Sequence, residues 1–60
     1  MDITKIQHHA EQLYAAHGDK AEAEAAQKAA HFDSEGDKEQ AAIWRKIRVA
    51  INQMRGPHAS

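Results

Sequence analysis

The sequence predicts an all-α fold, a small bundle of three short antiparallel helices at about residues 3–17, 20–34 and 38–55. Apolar residues recur at spacings of three and four, the repeat of one face of an α-helix. The triplet Gly-Asp-Lys occurs twice, at 18–20 and 36–38, between the periodic segments. Because short connections make sequential helices antiparallel neighbours, we expect the chain to reverse direction at each triplet.

The first predicted helix begins after Asp2, whose carboxylate is a suitable N-cap for the amides of the first turn. It ends before Gly18, because glycine adopts the left-handed conformation of a C-terminal cap at little cost. Its amphipathic stripe has spacings of 3, 4, 3 and 4, which predicts one face turned toward the other helices. The stripe consists of Ile3, Ile6, Ala10, Leu13 and His17.

The second predicted helix is rich in alanine, the best helix former. Asp19 followed three residues later by Glu22 is the pattern of a capping box, so we expect Asp19 to be the N-cap. Small side chains also let a neighbouring helix approach closely. The residues predicted on that side are Ala21, Ala25, Ala29 and Phe32.

The third predicted helix opens with a second capping-box pattern, Asp37 followed by Gln40 at the third position. It ends at Gly56-Pro57, since proline cannot continue a helix. Its apolar stripe has spacings of 3, 4 and 3. The stripe consists of Trp44, Ile47, Ile51 and Met54.

The predicted core is small, because thirteen of the apolar residues are alanines. A chain of this length buries only about 60% of its unfolded surface, so a lone monomer would be marginally stable. This favours self-association or a partner. Trp44 is predicted to be either a core anchor or an interface hot spot. The predicted core residues are Ile3, Ile6, Leu13, Phe32, Trp44, Ile47, Ile51 and Met54.

Composition predicts one small helical domain over residues 1–56 and a frayed tail over 57–60. Cysteine is absent, which excludes disulfides and thiolate metal sites and fits a reducing cytoplasm. No continuous apolar run exceeds four residues, so we expect neither a membrane span nor a secretion signal. These features together predict a cytoplasmic protein.

Charge is distributed unevenly along the chain. Residues 1–39 hold all nine acids and four lysines, whereas residues 40–60 hold four basic residues and no acid. A polar-basic row on the third helix could bind nucleic acid or an acidic protein. It could equally be a solvated helix face, or lie across the acidic second helix of the same fold. The candidate interaction surface consists of Trp44, Arg45, Arg48, Val49, Asn52 and Arg55.

The residues predict no catalytic site and no cofactor. Thr4, Ser34 and Ser60 lie in no recognisable nucleophile motif. Neither Gly-Asp-Lys triplet has the several glycines and the Lys-Ser/Thr pair of a phosphate loop. We therefore expect no enzyme activity.

Five histidines raise a metal hypothesis, but none are spaced as the H-x-x-x-H pair that zinc sites on helices favour. His8 and His9 are adjacent and diverge around the helix. His17 and His31 fall in last turns, where a protonated imidazole is favoured by the helix dipole. We expect no metal site, and we keep histidine-based metal or pH sensing as a third functional alternative.

A skeleton of small and apolar residues extends over roughly residues 10–51. It consists of Ala10-x-x-Leu13, His17-Gly18, Ala21, Gly36-Asp37, Trp44, Ile47 and Ala50-Ile51. This skeleton resembles that of a group of short uncharacterised bacterial helical proteins. The resemblance implies a compact helical protein and carries over no catalytic residues, because none are established for the group.

The segment GDKEQAAIW, preceded by Ala29 and Phe32, resembles the turn of a single tetratricopeptide-type helix hairpin. Beyond Ala41 the pattern departs from that motif, because Arg45 and Arg48 occupy positions expected to be apolar or small. One copy is present, whereas such repeats need about three to bury a continuous face. We interpret the similarity as the shared physics of an antiparallel helix pair.

These observations predict a non-enzymatic interaction module that self-associates or docks on a larger partner. The partner is expected to be a protein or a second copy of the chain, and no membrane is involved. The alternative is a nucleic-acid accessory protein that uses the basic row of the third helix.

Overall fold

The computed structural model describes residues 3–56, which form three α-helices: α1 (Ile3–His17), α2 (Lys20–Ser34) and α3 (Lys38–Met54). The predicted all-α bundle is confirmed, with α3 ending one residue earlier than expected. The predicted cap at Asp2 and the predicted tail at 57–60 lie outside the described residues. Among the described helices, α2 and α3 share the most extensive contact, and α1 packs on α3 more than on α2.

The turn between α2 and α3 is a complete Schellman motif. Gly36 has φ +82°, the left-handed conformation that favours glycine. The amide of Gly36 donates to the carbonyl of Asp33 (3.1 Å), and the amide of Asp37 donates to that of Phe32 (2.9 Å). The carbonyls of Phe32 and Asp33 in the last turn of α2 are thereby satisfied.

Asp37 then begins α3 as a true N-cap. Its carboxylate accepts a hydrogen bond from the amide of Gln40 at 3.1 Å, as the sequence pattern predicted. The return arm of the capping box, a side-chain bond from Gln40 to the amide of Asp37, is replaced because that amide already donates to Phe32. The cap and the Schellman motif thus share one residue.

The turn between α1 and α2 differs from the capping box that the sequence predicted at Asp19. Gly18 has φ +60° and donates to the carbonyl of Tyr14 at 2.8 Å, a simple left-handed cap for α1. Asp19 already has helical dihedrals, and its side chain makes no cap hydrogen bond. The prediction that Asp19 is an N-cap is therefore wrong. The carbonyl of Gly18 accepts from the amide of Ala21 at 3.0 Å, so α2 begins too soon for Asp19 to take the extended conformation of a cap.

The core is built mainly from alanine. Among residues 3–56, five of the eight buried apolar residues are alanines, whose small side chains permit close approach of the helix backbones. The large side chains that reach the centre are isoleucines from α1 and α3. The buried residues are Ile6, Ala10, Ala21, Ala25, Ala29, Ala41, Ile47 and Ile51.

The predicted core is right at its centre and wrong at its ends. Ile6, Ile47 and Ile51 are buried as expected, and Leu13 and Trp44 pack partly buried against them. Phe32 is also only partly buried. Two further predicted core residues are exposed, Ile3 at 72% and Met54 at 39%. Each lies at a terminus of its helix, where the neighbouring helix does not cover its side chain.

None of the helices in residues 3–56 combines the length and the apolar character that crossing a bilayer requires.

Candidate protein-interaction surface

An open groove of about 470 Å³ runs between α1 and α3. Its floor includes the buried Ile6 and the small, partly buried Ala50. Space remains above Ala50 because a methyl group cannot fill the gap between two helices. We call this feature the α1/α3 groove. It is lined by Ile3, Ile6, Gln7, Arg45, Lys46, Val49, Ala50 and Gln53.

Two large aliphatic side chains line this groove and face solvent. Ile3 comes from the first turn of α1, and Val49, which is 55% exposed, comes from the middle of α3. Single exposed aliphatic residues are ordinary on protein surfaces. Two of them on opposite helices of one groove form a local apolar site instead. Such sites are typical of surfaces that bind another protein.

The charged residues of the described chain that line the groove are both basic. They are Arg45 and Lys46, and the other polar lining residues within 3–56 are glutamines. Arg45 lies 3.7 Å from the carboxylate of Asp33 and is still 58% exposed. Lys46 is exposed and makes no ion pair with any residue in the described range 3–56. The electrostatic potential of the groove therefore favours an acidic ligand.

A smaller groove of about 210 Å³ continues along the same side of the molecule. It shares Gln7, Ala50 and Gln53 with the larger groove and adds Glu11 and Met54. The exposed side chain of Met54 thus extends the apolar surface toward the C-terminal end of α3. The large exposed apolar residues of the described chain therefore all line one face.

The polar-basic row of α3 points largely toward α2. Arg55 donates to the carboxylate of Glu22 at 2.6 Å, and Asn52 donates to its other oxygen at 2.9 Å. The side chains of Arg55 and Glu22 are 25% and 20% exposed, so this contact is partly shielded from water. The guanidinium of Arg55 also lies 3.8 Å from Asp19. These contacts join the start of α2 to the end of α3, which makes the two helices antiparallel.

The electrostatic environment of Glu22 favours its ionised form. The hydrogen bond from Asn52 lowers the pKa of Glu22, and so do the hydrogen bond and charge of Arg55 and the charge of Arg48. Partial burial opposes them without reversing the direction. Glu22 is therefore ionised at neutral pH, where its contact with Arg55 is strongest.

The opposite end of the α2–α3 contact has its own ion pairs. Asp33 lies 3.6 Å from Lys38 and 3.7 Å from Arg45. All these side chains are substantially exposed, so each pair adds little stability. Together with Glu22 they show that part of the basic row of α3 lies across acids of α2.

Trp44 lies away from the α1/α3 groove. It is partly buried, packs against the core and makes an edge-to-face contact with His9, with ring centroids 5.2 Å apart. This contact links α1 to α3. The structure thus gives Trp44 the environment of a core anchor.

The six predicted surface residues do not form one site. Arg45 and Val49 line the α1/α3 groove, Asn52 and Arg55 contact Glu22, Trp44 packs on the core, and Arg48 is exposed beside Glu22. Sequence reasoning missed Lys46 and the groove-lining role of Ile3. The signal was available for Lys46, which lies three residues before Val49 and so shares its side of the helix.

The histidines are dispersed over the described chain. The ring of His17 contacts the carboxylate of Glu24 and joins the end of α1 to α2. The ring of His8 hydrogen-bonds to Gln12 one turn further along α1, at 3.1 Å. In residues 3–56, no three histidine, aspartate or glutamate side chains gather as a metal-ion site would require.

Comparisons of the chain with protein-family models, with curated proteins and with solved structures find no match. The resemblances to short bacterial helical proteins and to a tetratricopeptide-type hairpin stay predictions. Function is therefore inferred from the geometry and charge of the molecule itself.

Proposed function

We propose that this protein is a non-enzymatic protein-interaction module, which docks on a larger partner or self-associates through the face that contains the α1/α3 groove. The observation that carries the proposal is the exposure of Ile3 and Val49 on the two walls of one open groove. Both side chains can be covered without unfolding the bundle. A binding partner would therefore find the surface already formed.

The energetics support the same proposal. Fully burying a large aliphatic side chain stabilises a complex by about 1.5–3 kcal/mol. Within residues 3–56 the bundle buries three isoleucines and five alanines, which is a small apolar core. Covering Ile3 and Val49 would add substantially to that core. Binding would thereby also stabilise the folded chain.

The proposal places the module in a bacterial cytoplasm. The absence of cysteine supports a reducing compartment. The bacterial setting is supported by the resemblance of the residue skeleton to short bacterial helical proteins. Both statements are tested by fractionating native cells and detecting the protein with an antibody.

The nucleic-acid alternative receives less support from the contacts. Arg55 is held by Glu22, and Arg45 lies beside Asp33, so two of the three arginines of the basic row already face acids. A phosphate backbone would have to compete with these carboxylates. Filter binding to mixed RNA and DNA at low salt tests it, and salt-sensitive retention would favour this alternative.

Site-specific photo-crosslinking tests the proposed function. A photoreactive amino acid replaces Val49 in the groove or, as a matched control, the exposed Gln27 on α2. In native cells we expect a discrete cross-linked product from position 49 and none from position 27. Sedimentation equilibrium of the purified chain then distinguishes a second copy from another protein. A monomer that gives no product at position 49 would overturn the proposal.

A further inference from the structure

We propose that the α1/α3 groove binds an acidic amphipathic helix, whose bulky apolar side chains lie between Ile3 and Val49 and whose carboxylates face Lys46 and Arg45. This inference rests on the proposed function and names the chemistry of the partner. Its evidence comes from the shape, the apolar walls and the charge of the groove.

The walls of the groove favour a helix over an extended peptide. Both walls are α-helices, so the groove offers no strand edge to which an extended peptide could add. An apolar groove between two helices accepts the apolar stripe of a third helix, with anchors at spacings of three and four. The volume of about 470 Å³ has room for several large aliphatic side chains.

The charge of the groove favours carboxylates on the partner. Lys46 is exposed beside Val49 and pairs with no acid in the described chain, and Arg45 is largely exposed although it lies near Asp33. Of the residues at 3–56 that line the larger groove, none is acidic. An acidic flank on the incoming helix would meet both cations, whereas a basic flank would be repelled.

A second copy of the chain fits this groove less well than an acidic helix. Within residues 3–56 the large exposed apolar side chains are Ile3, Val49 and Met54, and all lie on the groove face. The exposed positions of α2 are occupied by charged, polar and small residues, such as Ala23, Gln27 and Lys28, so α2 lacks bulky aliphatic anchors. A symmetric dimer would have to join the groove face to itself. That arrangement brings Lys46 and Arg45 of both copies into one interface, where like charges oppose association.

Designed peptides provide the test. The probe is a capped helical peptide of about 18 residues, or five turns, with leucines along one stripe and glutamates beside them. A matched peptide carries lysines in place of the glutamates, and a third has the acidic composition in scrambled order. Binding to the full-length protein is measured by fluorescence anisotropy, and the contact surface is mapped by NMR shifts of backbone amides.

We expect the acidic peptide to bind at least about tenfold more tightly than the lysine peptide, with binding weakened by salt. The shifted amides should lie at 3–7 and 45–53. Lys46→Glu should reverse the preference between the two peptides. Lys28→Glu, the same charge change on the exposed side of α2, should leave it unchanged. Val49→Asp should weaken the binding of the acidic peptide, and circular dichroism checks that each variant keeps its helical fold.

Three results would each overturn the inference: equal binding of the acidic, basic and scrambled peptides, shifts confined to other surfaces, or an unchanged preference in Lys46→Glu. Concentration-dependent shifts of the same amides without peptide would assign the groove to a second copy instead. If cross-linking at position 49 persists while the acidic peptide fails, the docking function stands and only this partner chemistry is wrong. If both fail, the proposed function falls as well.

Discussion

The α2–α3 contact and the α1–α3 contact share one helix but differ in how completely they are closed. Between α2 and α3, alanines let the backbones approach, and polar contacts tie both ends, at Glu22 with Arg55 and at Asp33 with Arg45. Between α1 and α3 an open groove remains, and Ile3 stays exposed on its wall. Helix α3 is thus a structural element on one side and an accessible surface on the other.

Because of this difference, the basic row of α3 and the α1/α3 groove have different roles. Asn52 and Arg55 of the row are engaged by Glu22 of the same chain, so these two side chains join α3 to α2. The side facing α1 retains Val49 and Lys46 without intramolecular partners of matching chemistry in residues 3–56. Substitutions on the two sides should therefore separate stability from binding.

The largest expected difference compares the same substitution at a closed and an open position. Ile47→Ala should destabilise the fold by about 2–5 kcal/mol, because Ile47 is 1% exposed and its truncation leaves a cavity. Ile3→Ala should change stability by at most about 0.5 kcal/mol, as is usual for surface positions. Urea denaturation followed by circular dichroism measures both.

Because Ile47→Ala could unfold so small a domain, Ile47→Val serves as a milder version with an expected loss of about 0.5–1.5 kcal/mol. Similar losses from the same substitution at Ile3 and Ile47 would contradict the placement of Ile3 outside the core.

The second comparison tests the close approach of α2 and α3. Ala25→Leu should destabilise the fold by about 1–3 kcal/mol, because Ala25 is fully buried and three added carbons force the helices apart. Ala30→Leu, on the exposed side of the same helix, is the matched control and should be nearly neutral. Thermal unfolding of both variants measures the difference. If Ala25→Leu left the thermal stability unchanged, the helices would not be closely packed at Ala25.

A third prediction concerns the ion pair that ties the start of α2 to the end of α3. The pKa of Glu22 is lowered by the hydrogen bond from Asn52 and by Arg55, so the folded state favours the carboxylate. The resulting stability is present at neutral pH and is lost as the pH falls through the acidic range below the usual value of glutamate. Glu22→Gln should therefore be less stable than wild type at neutral pH.

The difference between Glu22→Gln and wild type should shrink as the solution is acidified toward about pH 2–3. Glu35→Gln is the control, because Glu35 is exposed and makes no ion pair within residues 3–56. Chemical denaturation at a series of pH values measures the difference in unfolding free energy between each variant and wild type. If the stability difference between Glu22→Gln and wild type did not depend on pH, the charge of Glu22 would contribute nothing to stability.

Sequence periodicity and glycine positions predicted the helices closely, because both signals are local. The end of each helix is marked by a glycine that adopts the left-handed conformation, as at Gly18 and Gly36. The stripe containing Ile3 and Met54 predicted which face turns inward, but not how far a neighbouring helix extends. Both residues are exposed because burial at a helix terminus depends on tertiary overlap. The groove was unpredictable for the same reason, since it arises from two helices that meet imperfectly.

The smallest expected effect separates the two Gly-Asp-Lys triplets, which are identical in sequence and different in structure. Asp37→Ala should destabilise the fold by about 1 kcal/mol, because it removes the acceptor for the amide of Gln40. Asp37→Asn should retain most of that stability, since asparagine is an equally good cap. Asp19→Ala should have a much smaller effect, because Asp19 is already helical and caps nothing. Urea denaturation at high salt, which screens the ion pair of Asp19 with Arg55, measures these losses. Equal losses at Asp19 and Asp37 would mean that Asp19 caps α2 as Asp37 caps α3.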